Sequence, residues 1–156
     1  MTEIRKVKEL KNSVIYLMPV LFSGLLPLIT LPIFTRILTP DDYGVWGLSQ
    51  VYASFVIGIA NFGLTVGYER NYFEYKEAKE KLSLLYSTLL FVITSFIIFG
   101  LITFVLKDQI SEWIIGSSEY SDILFLTYCA TGIMSLKMYF LIYFKNTKNA
   151  KEFTKY

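Results

Sequence analysis

Four long stretches of the chain are almost free of charged residues, and short polar segments separate them. The stretches cover Asn12–Thr35, Tyr43–Tyr68, Leu82–Leu106 and Ile123–Phe144. Apolar runs of about 18 residues or more are typical of membrane helices, because a helix rises about 1.5 Å per residue and the hydrocarbon core is about 30 Å thick. The pattern therefore predicts an all-α integral membrane protein with four transmembrane helices in a single membrane domain (1–156). The predicted helices lie at about residues 14–38, 40–68, 82–106 and 123–144.

The polar segments indicate where these helices begin. Pro40 suits a first helical position, and Thr39 with Asp42 has the spacing of a capping box. The second helix is therefore predicted to begin at once after a tight turn. The segment 69–81, ERNYFEYKEAKEK, contains Glu77 and Lys81 at i and i+4, so it is predicted to form an amphipathic cytoplasmic extension of the third helix.

Proline and glycine positions predict local features of the first two helices. Pro19, Pro27 and Pro32 each remove a backbone donor, so the first helix is expected to be kinked or broken. The run is too long for a signal peptide and has no small-residue cleavage site after it, which favours a retained helix. Gly63 and Gly67 form a pair of small residues at i and i+4, which predicts close packing against another helix.

The placement of Lys and Arg predicts the orientation of the chain. The segments outside the four stretches carry four, one, four, one and four basic residues in chain order. They are Arg5, Lys6, Lys8 and Lys11; Arg36; Arg70, Lys76, Lys79 and Lys81; Lys107; and Lys145, Lys148, Lys151 and Lys155. Because cytoplasmic segments carry the excess of basic residues, this alternation predicts that both termini are cytoplasmic.

The chemistry available to the chain is limited. There is no histidine, and Cys129 is the one cysteine, so neither an intrachain disulfide nor a histidine-containing metal site is expected. No recognisable catalytic or metal-binding constellation is present, and no cofactor is expected. These features indicate a protein that is not an enzyme. None of the four stretches contains Asp or Glu, which argues against a small proton-coupled drug exporter.

Several segments resemble one family of membrane proteins. They are SVIYLMPVLFSGLLPLITLPIFTRILTPDDYGVWGL, NFGLTVGYERNYFEY and KEKLSLLYSTLLF. This ordered set resembles the polysaccharide (O-antigen and capsule repeat-unit) flippases of the multidrug/oligosaccharidyl-lipid/polysaccharide exporter superfamily. The likeness covers most of residues 12–106, and Arg36–Pro40, Gly63-Leu64 and Arg70 belong to it.

The resemblance implies a function and a location. It implies two helical lobes around a central cavity, with this chain as a partial N-terminal lobe. It also implies movement of a polyprenyl-pyrophosphate-linked oligosaccharide across the inner (plasma) membrane, for cell-surface polysaccharide biosynthesis. The expected partners are the lipid bilayer, this glycan lipid, and either the missing C-terminal helices or other polysaccharide-assembly membrane proteins. No nucleic-acid partner is expected.

Three basic residues are candidates for binding the phosphates of such a substrate: Arg36, Arg70 and Lys137. Cations at membrane depth are rare and costly, and an anionic pyrophosphate gives them a function. The alternative is that they are interfacial anchors whose charged ends reach the headgroups. Lys137 costs roughly 2.5–3.5 kcal/mol at mid-bilayer, but the apolar residues of its stretch offset this and the helix is expected to insert.

Two other functions remain open. One is a multidrug or cation antiporter of the same superfamily. The other is a non-transporting remnant of a truncated gene. This interpretation is kept because the last segment, KNTKNAKEFTKY, is similar to the cytoplasmic lead into a fifth helix, which is not part of the chain.

Overall fold

The described part of the chain is built from helices. The computed structural model describes residues 2–147, and of residues 2–16, 19, 20 and 23 it describes the backbone alone. The helices are α1 (Thr2–Ile37), α2 (Pro40–Ala60), α3 (Leu64–Asn71), α4 (Ala78–Ile114) and α5 (Ser121–Asn146), with a 3-10 turn at Ser118–Tyr120 before α5. No strand occurs in residues 2–147. The predicted all-α fold is therefore confirmed.

Three of these elements are long and apolar enough to cross a membrane. They are Pro40–Ala60, Ala78–Ile114 and Ser118–Asn146, and α1 adds a shorter apolar stretch at Gly24–Ile37. Three helices of the described chain thus have the length and composition of membrane spans, and the apolar stretch of α1 could add a fourth only together with residues before Gly24. The C-terminal stretch after Thr147, where a lead into a fifth helix is predicted, lies outside the described residues.

The chain divides into two compact units. One consists of Met1–Thr39 with Tyr143–Tyr156, and the other is Pro40–Ile142. In the first unit α1 is one continuous helix through all three prolines, so the helix is not broken. Thr35 donates its hydroxyl to the carbonyls of Leu31 (3.0 Å) and Pro32 (3.2 Å). Such bonds to the preceding turn favour a bend, and the kink of α1 stays a prediction.

The second unit begins with α2, which starts at Pro40 as predicted and has Asp41 and Asp42 in its first turn. The prediction of one helix over 40–68 is wrong beyond Ala60, because α2 ends there and the chain forms a separate helix, α3, from Leu64. The backbone is left-handed at Phe62 (φ 49°) and Gly63 (φ 69°). Glycine adopts that conformation at little cost, so Gly63 makes the break possible.

The glycine pair of this region does not pack as predicted. A Cβ placed on Gly63 or Gly67 meets nothing within 4 Å in the described structure. Gly63 therefore acts on the backbone, and the close approach between helices occurs elsewhere. At Gly100 of α4 a Cβ would lie 3.2 Å from the ring of Tyr128 on α5. The missing side chain lets the Tyr128 hydroxyl donate to the carbonyl of Phe96 at 2.7 Å.

α4 is longer than the predicted helix 82–106 at both ends. At its start the Glu77 backbone N–H donates to the Glu80 carboxylate at 3.3 Å, one half of a capping box. Part of the segment 69–81 is therefore helical, as predicted. Glu77, however, is the N-cap residue of α4, and its carboxylate forms no ion pair with the Lys81 ammonium. The Lys81 ammonium lies 4.8 Å from the centre of the Tyr72 ring instead.

Small and polar residues hold α2, α4 and α5 together. The buried residues of α2 are Val45, Ser49, Ala53, Ile57 and Ala60, which lie three or four positions apart on one face. Hydrogen bonds cross between these helices, and they include Tyr52 Oη to Thr103 Oγ1 (2.8 Å), Gln50 Nε2 to Thr131 Oγ1 (3.4 Å) and Ser95 Oγ to the Ala60 carbonyl (2.7 Å). Small contact residues and side-chain hydrogen bonds are how helices associate in lipid, where the hydrophobic effect between them is absent.

Candidate functional site

A closed polar cluster lies beside the helix break. Asn61 Nδ2 donates to Thr65 Oγ1 at 2.8 Å, and Thr65 Oγ1 donates to the Tyr139 hydroxyl at 3.2 Å. The Tyr139 hydroxyl in turn donates to Asn61 Oδ1. Tyr139 is completely buried. The three side chains thus satisfy one another and join the break to α5.

The break itself creates this cluster. The Ser95 hydroxyl of α4 donates to the carbonyl of Ala60, the last residue of α2. The turn that follows places Asn61 and Thr65 on the side that contacts Tyr139 of α5. An aromatic layer continues from these residues along α3. In that layer the ring centre of Tyr68 lies 6.0 Å from that of Tyr139 and 6.2 Å from that of Tyr72. The polar cluster and the aromatic layer together fix α3 against α5.

Lys137 is exposed on the apolar surface of α5. It lies two residues before Tyr139, which is about 200° around a helix, so it is turned away from the face that contacts α3. Its neighbours one turn away are exposed apolar side chains, Ile133 (69%) and Met134 (71%). Lys137 forms no ion pair or hydrogen bond with any residue in the range 2–147 that the structure describes. It is a lone cation on a surface suited to lipid or to another helix.

Arg70 lies in the last turn of α3 and is exposed. Val66, four residues earlier and 73% exposed, shares its face, while Tyr68 faces the interior. Arg70 therefore lies on the outer face of α3. Arg36 lies in the last turn of α1, is also exposed, and belongs to the other compact unit.

Within the second unit, Arg70 and Lys137 do not share a face. Arg70 and Lys137 lie in Pro40–Ile142, on helices whose contact runs through Tyr139, and Lys137 is turned away from that contact. Their role toward phosphates stays a prediction. The polar cluster was not predicted from the sequence. The signal for it was the presence of two polar residues, Asn61 and Thr65, inside a charge-free stretch.

The described helices define the class of this protein. Three helices of the described chain are long and apolar enough to cross a bilayer, and their contacts include small residues and hydrogen-bonded side chains. This is the construction of a helical membrane protein. A family model described as "Polysaccharide biosynthesis protein" matches residues 10–156. The chain therefore belongs to the polysaccharide biosynthesis protein family, and the predicted family is confirmed.

No curated protein and no solved structure matches the chain. Membership of the family connects the chain with the synthesis or export of polysaccharide, and the helices connect it with the membrane.

Proposed function

We propose that the protein containing this chain moves a polyprenyl-pyrophosphate-linked oligosaccharide across the membrane for cell-surface polysaccharide biosynthesis. The chain acts by binding and conformational change, and it makes or breaks no covalent bond of its cargo. Its membership of a polysaccharide biosynthesis family and its apolar helices support this proposal.

The observation that carries the proposal is the position of Lys137. A charged side chain at membrane depth is costly, and such groups usually pair with one another or serve a function. Lys137 stands on an apolar helix face with no ionic partner among the side chains that the structure describes. The phosphates of a lipid-linked glycan would supply the missing negative charge. Arg70, exposed at the end of α3, and Arg36, exposed at the end of α1, are the other proposed phosphate-binding residues.

We also propose the orientation of the chain in the inner membrane. In this orientation four helices span the membrane, both termini are cytoplasmic, and the turn between α4 and α5 is external. The reason is that the number of basic residues in successive polar segments alternates between four and one. Arg70 and Lys137 then lie toward the cytoplasmic leaflet where the substrate is loaded, and Arg36 lies toward the leaflet of release.

The orientation predicts where fused reporters are active. A reporter that works only outside the cytoplasm is expected to be active when fused after Gly116 and inactive when fused after Tyr156. Enzyme activity of the two fusions, compared at equal expression, measures this. Activity after Tyr156 would contradict the orientation.

Removal of the gene tests the function in cells. Cells lacking the protein are expected to lose surface polysaccharide and to accumulate its lipid-linked precursor, and the parental gene should restore both. Extracted lipid-linked glycan and surface glycan are measured in the same cultures. Unchanged surface glycan together with increased sensitivity to drugs or cations would favour the antiporter instead.

A further inference from the structure

A long apolar groove lies between α4 and α5. Its volume is about 400 Å³, and it is lined from α4 by Ile97, Gly100 and Leu101 and from α5 by Cys129 and Ile133, among others. Ile97 and Leu101 are 57% and 60% exposed, so one side of the groove is open to the surroundings of the helices. The hydroxyl of Tyr128 at its base already donates to the Phe96 carbonyl. The groove therefore suits a hydrocarbon chain.

The length of the groove is close to the depth of one leaflet. It extends from Ile93 to Phe104 on α4 and from Phe125 to Leu136 on α5. Each range advances by eleven residues, which is about 16 Å at 1.5 Å per residue. Half of a hydrocarbon core is about 15 Å. One acyl chain of a membrane lipid fits this span.

Charged groups stand at one end of the groove. Phe104 and Phe125 meet there with ring centres 5.2 Å apart, and the Lys107 ammonium lies 5.7 Å from the centre of the Phe104 ring. Lys107 forms an ion pair with Asp122, which is three residues before Phe125. The order along the helices is thus an ion pair, an aromatic pair and an apolar groove. A phospholipid has the same order of headgroup, glycerol boundary and acyl chain.

We propose that this groove binds a zwitterionic phospholipid with a primary amine headgroup, phosphatidylethanolamine, as a structural lipid. Its phosphate contacts Lys107, its ammonium contacts Asp122, and one acyl chain lies between α4 and α5. The charges are complementary because the ion pair offers one positive and one negative group. Asp122 is 78% exposed, so its carboxylate has room for a second cation beside Lys107.

The headgroup chemistry makes the site selective. A primary ammonium donates hydrogen bonds to a carboxylate, whereas the trimethylammonium of phosphatidylcholine has no N–H to donate. The loss of one hydrogen bond to a charged group typically weakens binding by about tenfold. Phosphatidylethanolamine is therefore expected to bind about tenfold more tightly than phosphatidylcholine. This selectivity distinguishes the site from a surface that any lipid covers.

The test uses the full-length protein in vesicles that contain phosphatidylethanolamine with a photoactivatable group halfway along one acyl chain. Labelled peptides are identified by mass spectrometry. Labelling is expected to concentrate in 93–104 and 125–136, and unlabelled phosphatidylethanolamine should compete about tenfold better than phosphatidylcholine. Asp122→Asn should bring the two lipids to nearly equal competition. Leu101→Trp, which fills the groove, should lower labelling several-fold.

Asp108→Asn is the matched control, because it removes an exposed acid next to Lys107 and outside the ion pair. It should leave the preference unchanged. Each of the following results would overturn the proposal. One is that the exposed α2 residues Val51 and Phe55 are labelled as strongly as the groove. A second is that the two lipids compete equally for the parent protein. A third is that the preference for phosphatidylethanolamine persists in Asp122→Asn. Absence of groove labelling because another helix or a second copy covers it would also overturn it.

Discussion

Lys137→Ala is expected to lower export of the lipid-linked glycan roughly ten- to a hundredfold. A charge-assisted contact to phosphate contributes about 1.5–3 kcal/mol, and each 1.4 kcal/mol is a factor of ten. The helix of the variant should insert more readily than the parent, because a lysine within the bilayer is unfavourable for insertion. A loss of export would therefore reflect a lost contact with the cargo. The measurement is the rate at which labelled glycan appears at the cell surface, at equal protein in the membrane.

The export measurement can also be made on two substitutions of Arg70 that differ in severity. Arg70→Ala is expected to lose about as much as Lys137→Ala, and Arg70→Lys should fall between it and the parent, because lysine keeps the charge but lacks the bidentate fork. Lys79→Ala, which removes an exposed cation from the same side of the chain, is the matched control and should export normally. Parental export by both alanine variants would show that the two residues are interfacial anchors.

Tyr139→Ala is expected to destabilise the protein by about 3–5 kcal/mol, the cost of removing a large buried aromatic side chain. Tyr139 of α5 is fully buried, and its ring centre lies 6.0 Å from that of Tyr68 on α3. Tyr139→Phe keeps the ring and loses the hydroxyl that joins Asn61 and Thr65. Side-chain hydrogen bonds between membrane helices average about 0.6 kcal/mol and reach about 1.7, so the loss should be several-fold smaller. Packing of the ring is therefore expected to contribute more than the polar cluster.

Thermal unfolding of the purified protein in one detergent compares the variants. Tyr86→Ala is the matched control, since Tyr86 on α4 is 62% exposed and should unfold close to the parent. If Tyr139→Phe lost as much stability as Tyr139→Ala, the hydrogen bonds and not the ring would hold α3 in place.

Most of the fold could be predicted from charge-free stretches, because membrane spans are set by length and apolarity alone. The start of α2 at Pro40 and its two acidic first-turn residues follow from capping chemistry and were confirmed. The ends of α4 were missed, since Leu82 and Leu106 bound the apolar stretch while helical hydrogen bonding continues to Ala78 and Ile114. Helix ends in polar surroundings are set by caps, which hydrophobicity does not report.

The break between α2 and α3 could not be predicted from the apolar pattern. Asn61-Phe62-Gly63 lies in a charge-free stretch, and a membrane helix tolerates a single glycine. The left-handed backbone at Phe62 and Gly63 depends on partners far along the chain, Ser95 on α4 and Tyr139 on α5. The same holds for the candidate site, because the face on which Lys137 lies is defined only once Tyr139 is placed against α3.

Transport in a defined membrane tests the central proposal most directly. The purified full-length protein is placed in vesicles that contain a fluorescent polyprenyl-pyrophosphate oligosaccharide, and the fraction in the outer leaflet is followed with a reagent that cannot cross the bilayer. The proposal predicts that the protein speeds equilibration between leaflets and that Lys137→Ala slows it roughly tenfold or more. Equilibration no faster than in protein-free vesicles, under both an imposed proton gradient and an imposed sodium gradient, would contradict it.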